Sequence, residues 1–464
     1  MRVVVDKKQM AVAVREMRKV VARKTNVEAL ARVLVEPQPD ESRVVLHVTD
    51  VDNALAASVP AEVHTAPGDG LVAISFDHLE RAMRAKTRGG LVSLSTVSGD
   101  DATEAEIMVG RSKLITGAVQ VAPLSPEITE ALTKPGPAAG EDEEPAEIAV
   151  WRRGLPAALL HLGAAPGLPT GTAQVLDAVT FYGPKPLLTS LVEAASEEET
   201  RYYLNGAYFD ASVPGEGLTV VATDGHRLVT WPCGIVEGFS TGERDRGYIA
   251  PIGMLKALKT GAGAKAESIR FTFKDVPQVY ETAYSHPHAE VLPVITVEAE
   301  YTHGGVECRR VGKTIYGKYP DWRRVMPRAT DVKTSVAVPF DEFMETVDEV
   351  KSLAGVSSRE HAGAKLCVST PEGSLRLKRQ GAHGDTIEGT GPAPRDVVRN
   401  GSPQKAIEIG FDLRYLAALP ALLGELGSPA GKRLVMRFKE PEDPATFQVE
   451  GDRTTALLLP VRIK

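Results

Sequence analysis

Cysteine is nearly absent: Cys233, Cys308 and Cys367 are the only three in 464 residues. They are odd in number, widely scattered and never in a CxxC pair, so neither a disulfide framework nor a metal knuckle is encoded. Long apolar runs are also missing, and nothing approaches the ~18 residues that a membrane-spanning helix needs. The start, Met1-Arg2-Val3-Val4-Val5-Asp6, reads as a strand and lacks the basic, apolar and small-residue succession of a secretory signal. No Walker loop, HExxH or GxGxxG occurs. Asp50-Val51-Asp52 and Asp224-Gly225-His226 have the residue types of a metal pair and a general-base dyad, but turn chemistry explains both better. These absences lead us to expect a cytoplasmic chain that is not an enzyme, with no membrane segment, metal or cofactor. What remains is ample for packing: 43% hydrophobic and 25% charged residues over a length that suggests about three domains. A net charge of −7 argues against coating nucleic acid with the whole surface and leaves room for a local basic patch.

One local pattern recurs six times: a short apolar strand, a turn or cap residue, then an amphipathic helix. The copies begin at Arg2, Leu71, Ala178, Gly247, Ser335 and Ala406. Four place aspartate at the join (Asp6, Asp77, Asp341, Asp412), where a carboxylate can cap free helical N–H groups. The other two use Gly183-Pro184 and Pro251. From Asp6 to Asp77 is 71 residues, from Gly183 to Ile252 is 69, and from Asp341 to Asp412 is 71. Paired spacing of this kind predicts three domains, each of two similar halves. Alternating runs such as Arg43–Val48, Leu91–Thr96, Leu218–Thr223 and Leu434–Phe438 supply half-buried strands after each helix. The fold class is α+β, with helices gathered on one side of the sheets. We expect domains at 1–125, 173–327 and 328–464. Between the first two lies a solvated linker, 126–172, with a short helix at Trp151–Leu162. An extended hairpin or loop is expected as an insertion at about 282–310.

Positive charge is concentrated on particular helices. Residues 7–24 carry Lys7, Lys8, Arg15, Arg18, Lys19, Arg23 and Lys24 against Glu16 alone. Residues 77–90 carry Arg81, Arg84, Lys86 and Arg88 against Asp77 and Glu80, and 253–265 carry Lys256, Lys259 and Lys265 with no acid. Such helices suit sequence-independent phosphate contacts. Two helices run the other way: 185–200 has Lys185 against four glutamates, and 341–353 has Lys351 against five acids.

Three segments are more specific: RYYLNG from Arg201, ATDGHRL from Ala222, and YPDWRRVMP from Tyr319. Together with the ending LLLPVRI from Leu457, they resemble the bacterial DNA polymerase III beta-subunit sliding clamp in the same order. That resemblance implies three copies of a two-half domain per chain. Two chains would close into a homodimeric ring, helices inside and sheets outside, that slides on duplex DNA without reading sequence. It also implies partners: a replicative DNA polymerase, a clamp loader and other proteins carrying clamp-binding motifs. By position, Arg18, Arg23, Lys24, Arg84, Tyr202, Tyr203 and Lys256 would face DNA. A peptide groove would use Leu204, Thr223, Gly225, His226, Arg227, Leu228, Pro320, Arg324, Val325, Leu457, Leu459, Pro460, Val461 and Arg462. Leu114 and Leu353 are the candidates for the contact between subunits. A divergent or phage-encoded paralogue serving a specialised polymerase, or a repair or resistance role, is the alternative within the same family.

Overall fold

The computed structural model describes residues 1–22, 27–65, 71–86, 90–98, 103–121, 173–213, 215–236, 247–276, 294–355, 363–368, 375–380, 386–394, 396–399, 407–425 and 430–462, with a few single positions between them. The expected linker and its Trp151–Leu162 helix lie outside these residues, apart from Leu159, Leu162 and Ala164.

The six joins become six successive halves. The first is β1 (Arg2–Asp6), α1 (Lys7–Met17), β2 (Arg32–Gln38), β3 (Arg43–Thr49) and β4 (Asn53–His64). The second is β5 (Leu71–Ser75), α2 (Phe76–Arg84), β6 (Leu91–Ser98), β7 (Thr103–Val109) and β8 (Ser112–Val121). The third is β9 (Gln174–Tyr182), α3 (Lys185–Ala194), β10 (Gly206–Asp210), β11 (Leu218–Thr223) and β12 (Arg227–Gly234). The fourth is β13 (Tyr248–Pro251), α4 (Ile252–Thr260), β14 (Ser268–Val276), β15 (Val294–His303) and β16 (Val306–Lys313). The fifth is β17 (Thr334–Pro339), α5 (Phe340–Leu353), β18 (Gly363–Val368), β19 (Leu375–Gln380) and β20 (Thr386–Thr390), followed by an extra strand β21 (Asp396–Arg399). The sixth is β22 (Ile407–Asp412), the short helices α6 (Leu413–Ala417) and α7 (Leu419–Leu422), then β23 (Arg433–Phe438), β24 (Ala445–Val449) and β25 (Thr455–Leu458).

The described chain forms two compact units. Unit 1 comprises 1–184, 237–239 and 256–314, and unit 2 comprises 185–236, 240–255 and 315–464. Unit 1 holds one antiparallel sheet, ordered β1-β6-β7-β8-β5-β2-β3-β4-β16-β15-β14-β9, in which β1 also pairs with β4. Unit 2 holds β13-β10-β11-β12-β25-β24-β23-β17-β21 and a separate sheet β20-β19-β18-β22. One rule orders all of this: three strands of a half are joined by the first strand of its sister half. Thus β5 pairs with β2, β1 with β6, β9 with β14, β13 with β10, β22 with β18 and β17 with β23.

The helices bury one stripe each, as their periodicity requires. In α1 that stripe is Met10, Val14 and Met17; in α5 it is Phe340, Phe343, Met344, Val347 and Val350. Capping follows the expectation at two joins only. Asp6 accepts from Lys8 N and Gln9 N, and Asp412 accepts from Arg414 N. At the other two the helix starts one residue earlier, on Phe76 and Phe340. Asp77 and Asp341 therefore lie inside the first turn, where the helix dipole favours a carboxylate that no longer caps. The first helix also stops at Met17, short of residue 24, and of the hairpin or loop expected at about 282–310 the described part is hairpin. From Val294 onward that stretch is the β15/β16 hairpin, turning at Gly304-Gly305 and paired in register with β14 and β4. Residues 277–293 lie outside the described residues.

Candidate functional site

In unit 2, β12 pairs with β25, matching Arg227 to Leu458 and Thr230 to Thr455. This pairing brings the ATDGHRL turn beside the carboxy-terminal strand, and a cavity of ≈ 230 Å³ opens there. Its floor is a packed cluster of Leu204, Val221, Leu228, Ile249, Tyr319 and Leu457, with Tyr203, Trp322 and Leu459 against it. Arg201, His226, Arg227 and Asp321 supply the polar part of the lining.

The turn is built by its own side chains. Asp224 Oδ1 accepts from His226 N at 2.8 Å and Arg227 N at 2.9 Å, and Thr223 Oγ1 accepts from Gly225 N at 3.0 Å. Gly225 has φ of +89°, and a β-carbon there would sit 2.5 Å from Arg201 Nη1. Only glycine serves at this point. Arg227 is held by Glu193 at 2.7 Å and Asp224 at 3.0 Å, with its guanidinium 5.1 Å from the centre of the Tyr415 ring. The His226 ring stacks on the same tyrosine at 6.2 Å. Burial pushes the Tyr415 phenol up, as does the nearby Asp224 carboxylate. The tail is tied down by Leu459 N to His226 O and Val461 N to Gly410 O, each 2.9 Å.

The far wall comes from Tyr319 to Val325. The Tyr319 ring stacks on Tyr208 at 4.6 Å and 7°, and burial pushes its phenol well above the ordinary range. Buried Asp210 accepts from Trp322 Nε1 at 2.7 Å, Arg323 Nη1 at 2.5 Å and Ser212 N at 2.9 Å. Burial alone would raise the Asp210 carboxyl, but these donors outweigh it and hold it below its ordinary value.

Of the expected groove residues, Leu204, Thr223, Gly225, His226, Arg227, Leu228, Pro320, Val325, Leu457 and Leu459 line the cavity together. Arg324, Pro460, Val461 and Arg462 do not; Arg324 and Arg462 are exposed, and Pro460 and Val461 are half-buried. Tyr203, expected at DNA, lines the cavity instead, edge-on at 5.8 Å to Tyr202, which is 53% exposed.

In unit 1, Arg18 and Arg84 converge on one buried acid, Glu80, while both stay substantially exposed to solvent. Lys256 is half-buried, and Arg23 and Lys24 lie outside the described residues. Lys19 turns inward to Glu16 at 3.1 Å and Ala257 O at 3.2 Å, and burial lowers its pKa. In unit 2 the acids of α3 and the turn after it are partly neutralised, Glu193 by Arg227 and Glu198 by Arg201. Leu114 is half-buried on β8, and Leu353 at the end of α5 is 73% exposed.

No protein-family model matches the chain. The beta sliding clamp of Caulobacter vibrioides is 29% identical over 273 residues, 58% of this chain and 61% of that protein. The beta sliding clamp of Escherichia coli K12 is 26% identical over 244 residues, 51% and 54% respectively. The match therefore spans less than two thirds of these curated relatives. Among solved structures, Caulobacter crescentus pol III beta superposes with a TM-score of 0.67 at 22% identity, covering 100% of both chains. The DNA polymerase III subunit beta of Bartonella birtlesii, bound to griselimycin, gives 0.66 at 22% over 100% of both. The fold is that of the bacterial beta sliding clamp.

On this clamp fold, sequence reasoning missed five lining residues: Arg201, Tyr203, Tyr319, Asp321 and Trp322. All stand within the RYYLNG and YPDWRRVMP segments, so the motifs marked the right places. Which side chains turn inward depends on the 3-10 turns at Glu199–Leu204 and Trp322–Arg324. Among the described residues no helix is long and apolar enough to cross a membrane, and no group of three His, Cys, Asp or Glu could hold a metal.

Proposed function

We propose that the chain is a DNA sliding clamp that enzymes borrow for processivity and that itself catalyses nothing. Two copies would meet head to tail and close a ring on duplex DNA, each copy contributing domains at 1–125, 173–327 and 328–464. A polymerase, a loader and other partners would dock through short apolar peptides in the cavity beside β12 and β25. The cavity carries this reading: an apolar floor ringed by Arg201, His226, Arg227 and Asp321 suits a side-chain anchor whose backbone is oriented by polar groups. Support also comes from the fold and from the names of its relatives. The exposed Arg18 and Arg84 guanidiniums, held on buried Glu80, offer phosphate contacts without base readout.

The test must respect the packing. Leu204 and Leu228 are buried in the core cluster, so alanine there would cost about 2–5 kcal/mol of stability each. Val325, 42% exposed, and half-buried Leu459 are better probes. In calorimetry, Val325→Asp with Leu459→Asp should abolish binding of a polymerase-derived peptide, while light scattering still reports twice 49.6 kDa. Undiminished affinity in the folded variant would place the partner site elsewhere. Closed circular DNA, loaded with protein, should retain it at salt that strips linear DNA, because topology does not depend on counterion release. Equal loss from both would refute the ring.

A further inference from the structure

Arg18 and Lys19 are neighbours in the chain, yet the fold sends them in opposite directions. The Arg18 guanidinium rests on Glu80 with 46% of its side chain exposed, and Arg84 joins it on the same acid. Lys19 keeps 20% and turns into a socket between α1 and the end of α4. Its ammonium donates to Glu16 Oε1 at 3.1 Å and to Ala257 O at 3.2 Å. The socket exists because residue 261 has no side chain. A β-carbon at Gly261 would run into Lys19 Nζ and sit 2.6 Å from both carboxylate oxygens of Glu16. Glu16 is itself tied to Tyr301 Oη, Ala262 N and Arg310, so the acid that draws Lys19 inward is fixed in the interior.

We propose that Glu16 and Gly261 are positioning residues of the DNA-facing surface: they hold Lys19 in its socket and so withhold one cation from the phosphates. The proposal rests on the DNA-facing reading of Arg18 and Arg84 given above. A ring that moves along duplex DNA needs phosphate contacts that are few and readily exchanged. Each further contact steepens the fall of log K with log salt by about 0.9. Lysine carries its charge on a flexible four-carbon stem, and that of Lys19 is rooted one residue beyond Arg18. Once released, it has the reach to add such a contact. Alanine at 261 meets first the mobile ends of Lys19 and Glu16 rather than backbone, so it evicts the ammonium without breaking the turn.

The test follows binding of the full chain to a short, fluorescently labelled linear duplex by anisotropy, at salt from about 50 to about 200 mM. Arg18→Met and Arg84→Met should each flatten the salt slope by about 0.9. Lys19→Met should leave it unchanged, and a flatter slope in that variant overturns the proposal. Gly261→Ala should steepen the slope by about 0.9, an extra loss of about 3.5-fold in affinity over that range. Combining Gly261→Ala with Lys19→Met should return it to wild type, a cancellation that a purely structural role would not produce. Glu16→Gln, which removes the countercharge and keeps the shape, is the second route to release and should steepen the slope in the same way. Acylation of Lys19 by an amine reagent, read by peptide mass, should be slow in wild type and approach the rate of exposed Lys8 in either variant. Unchanged acylation in a folded variant overturns the socket, and faster acylation with an unchanged slope overturns its bearing on DNA. If Arg18→Met and Arg84→Met both leave the slope unchanged, the DNA-facing reading fails and this inference fails with it.

Discussion

Replacing Glu16 by glutamine removes one charge from the interior of unit 1, and the consequences can be worked out group by group. Glu16 is 0% exposed. Its carboxylate accepts from Tyr301 Oη at 2.9 Å, Ala262 N at 2.8 Å and Lys19 Nζ at 3.1 Å, and lies 3.5 Å from Arg310 Nη2. Arg310 is 2% exposed, and its Nη2 also reaches Glu16 O at 3.4 Å. The amide keeps the shape but leaves a guanidinium buried beside a group with no countercharge, and an amide N–H turned toward donors. Removing one partner of a buried pair costs about 3–5 kcal/mol. An exposed pair such as Arg32–Glu28 is worth about 0–1 kcal/mol. Against a total stability of about 5–15 kcal/mol, the Glu16 change should visibly lower the urea midpoint, and Glu28→Ala should not. Pairing Glu16→Gln with Arg310→Met should restore part of the loss, because the buried guanidinium is then gone while the amide oxygen can still accept from Tyr301 Oη or Ala262 N. A Glu16→Gln midpoint within about 1 kcal/mol of wild type, or a double variant no better than the single, would refute the reasoning.

Other outcomes follow from the same structure. Asp210 is held below its ordinary carboxyl value, so it adds stability above the unfolded pKa of about 3.9 that is lost as pH falls below it; Asp210→Asn should flatten the acid limb of a stability–pH curve. Burial pushes the Cys233 and Cys308 thiols up to about 12, so native protein at pH 8 should react with a thiol reagent at these sites far more slowly than denatured protein. On the proposed head-to-tail ring, Leu353→Arg places a charge on an exposed apolar helix end and should shift the mass in light scattering from dimer to monomer without lowering the melting temperature. Gly225→Ala should destabilise the turn by about 1 kcal/mol or more and displace Arg201, measured as a lowered melting temperature together with weaker peptide binding.

The sequence by itself determined what is local. A strand, a turn residue and an amphipathic helix are specified within some fifteen residues, so six joins at paired spacing disclosed six halves and an α+β fold before any contact was known. Asp-Gly at 224–225 marked a hairpin for the same reason, and the motif segments marked the neighbourhood of the cavity. Tertiary structure decided everything set by partners distant in the chain. The exchange of first strands between sister halves is a matter of sheet pairing, and alternation within a strand does not name its neighbour. The aspartates at 77 and 341 fell inside their helices, which begin one residue earlier on buried phenylalanines. A count of lysines gave Lys19 to the surface, yet a buried glutamate and a carbonyl 238 residues away turned it inward. The Trp322 indole is tied in place only because folding set Asp210, 112 residues earlier, within hydrogen-bond reach of it, and burial makes that bond too costly to leave unmade.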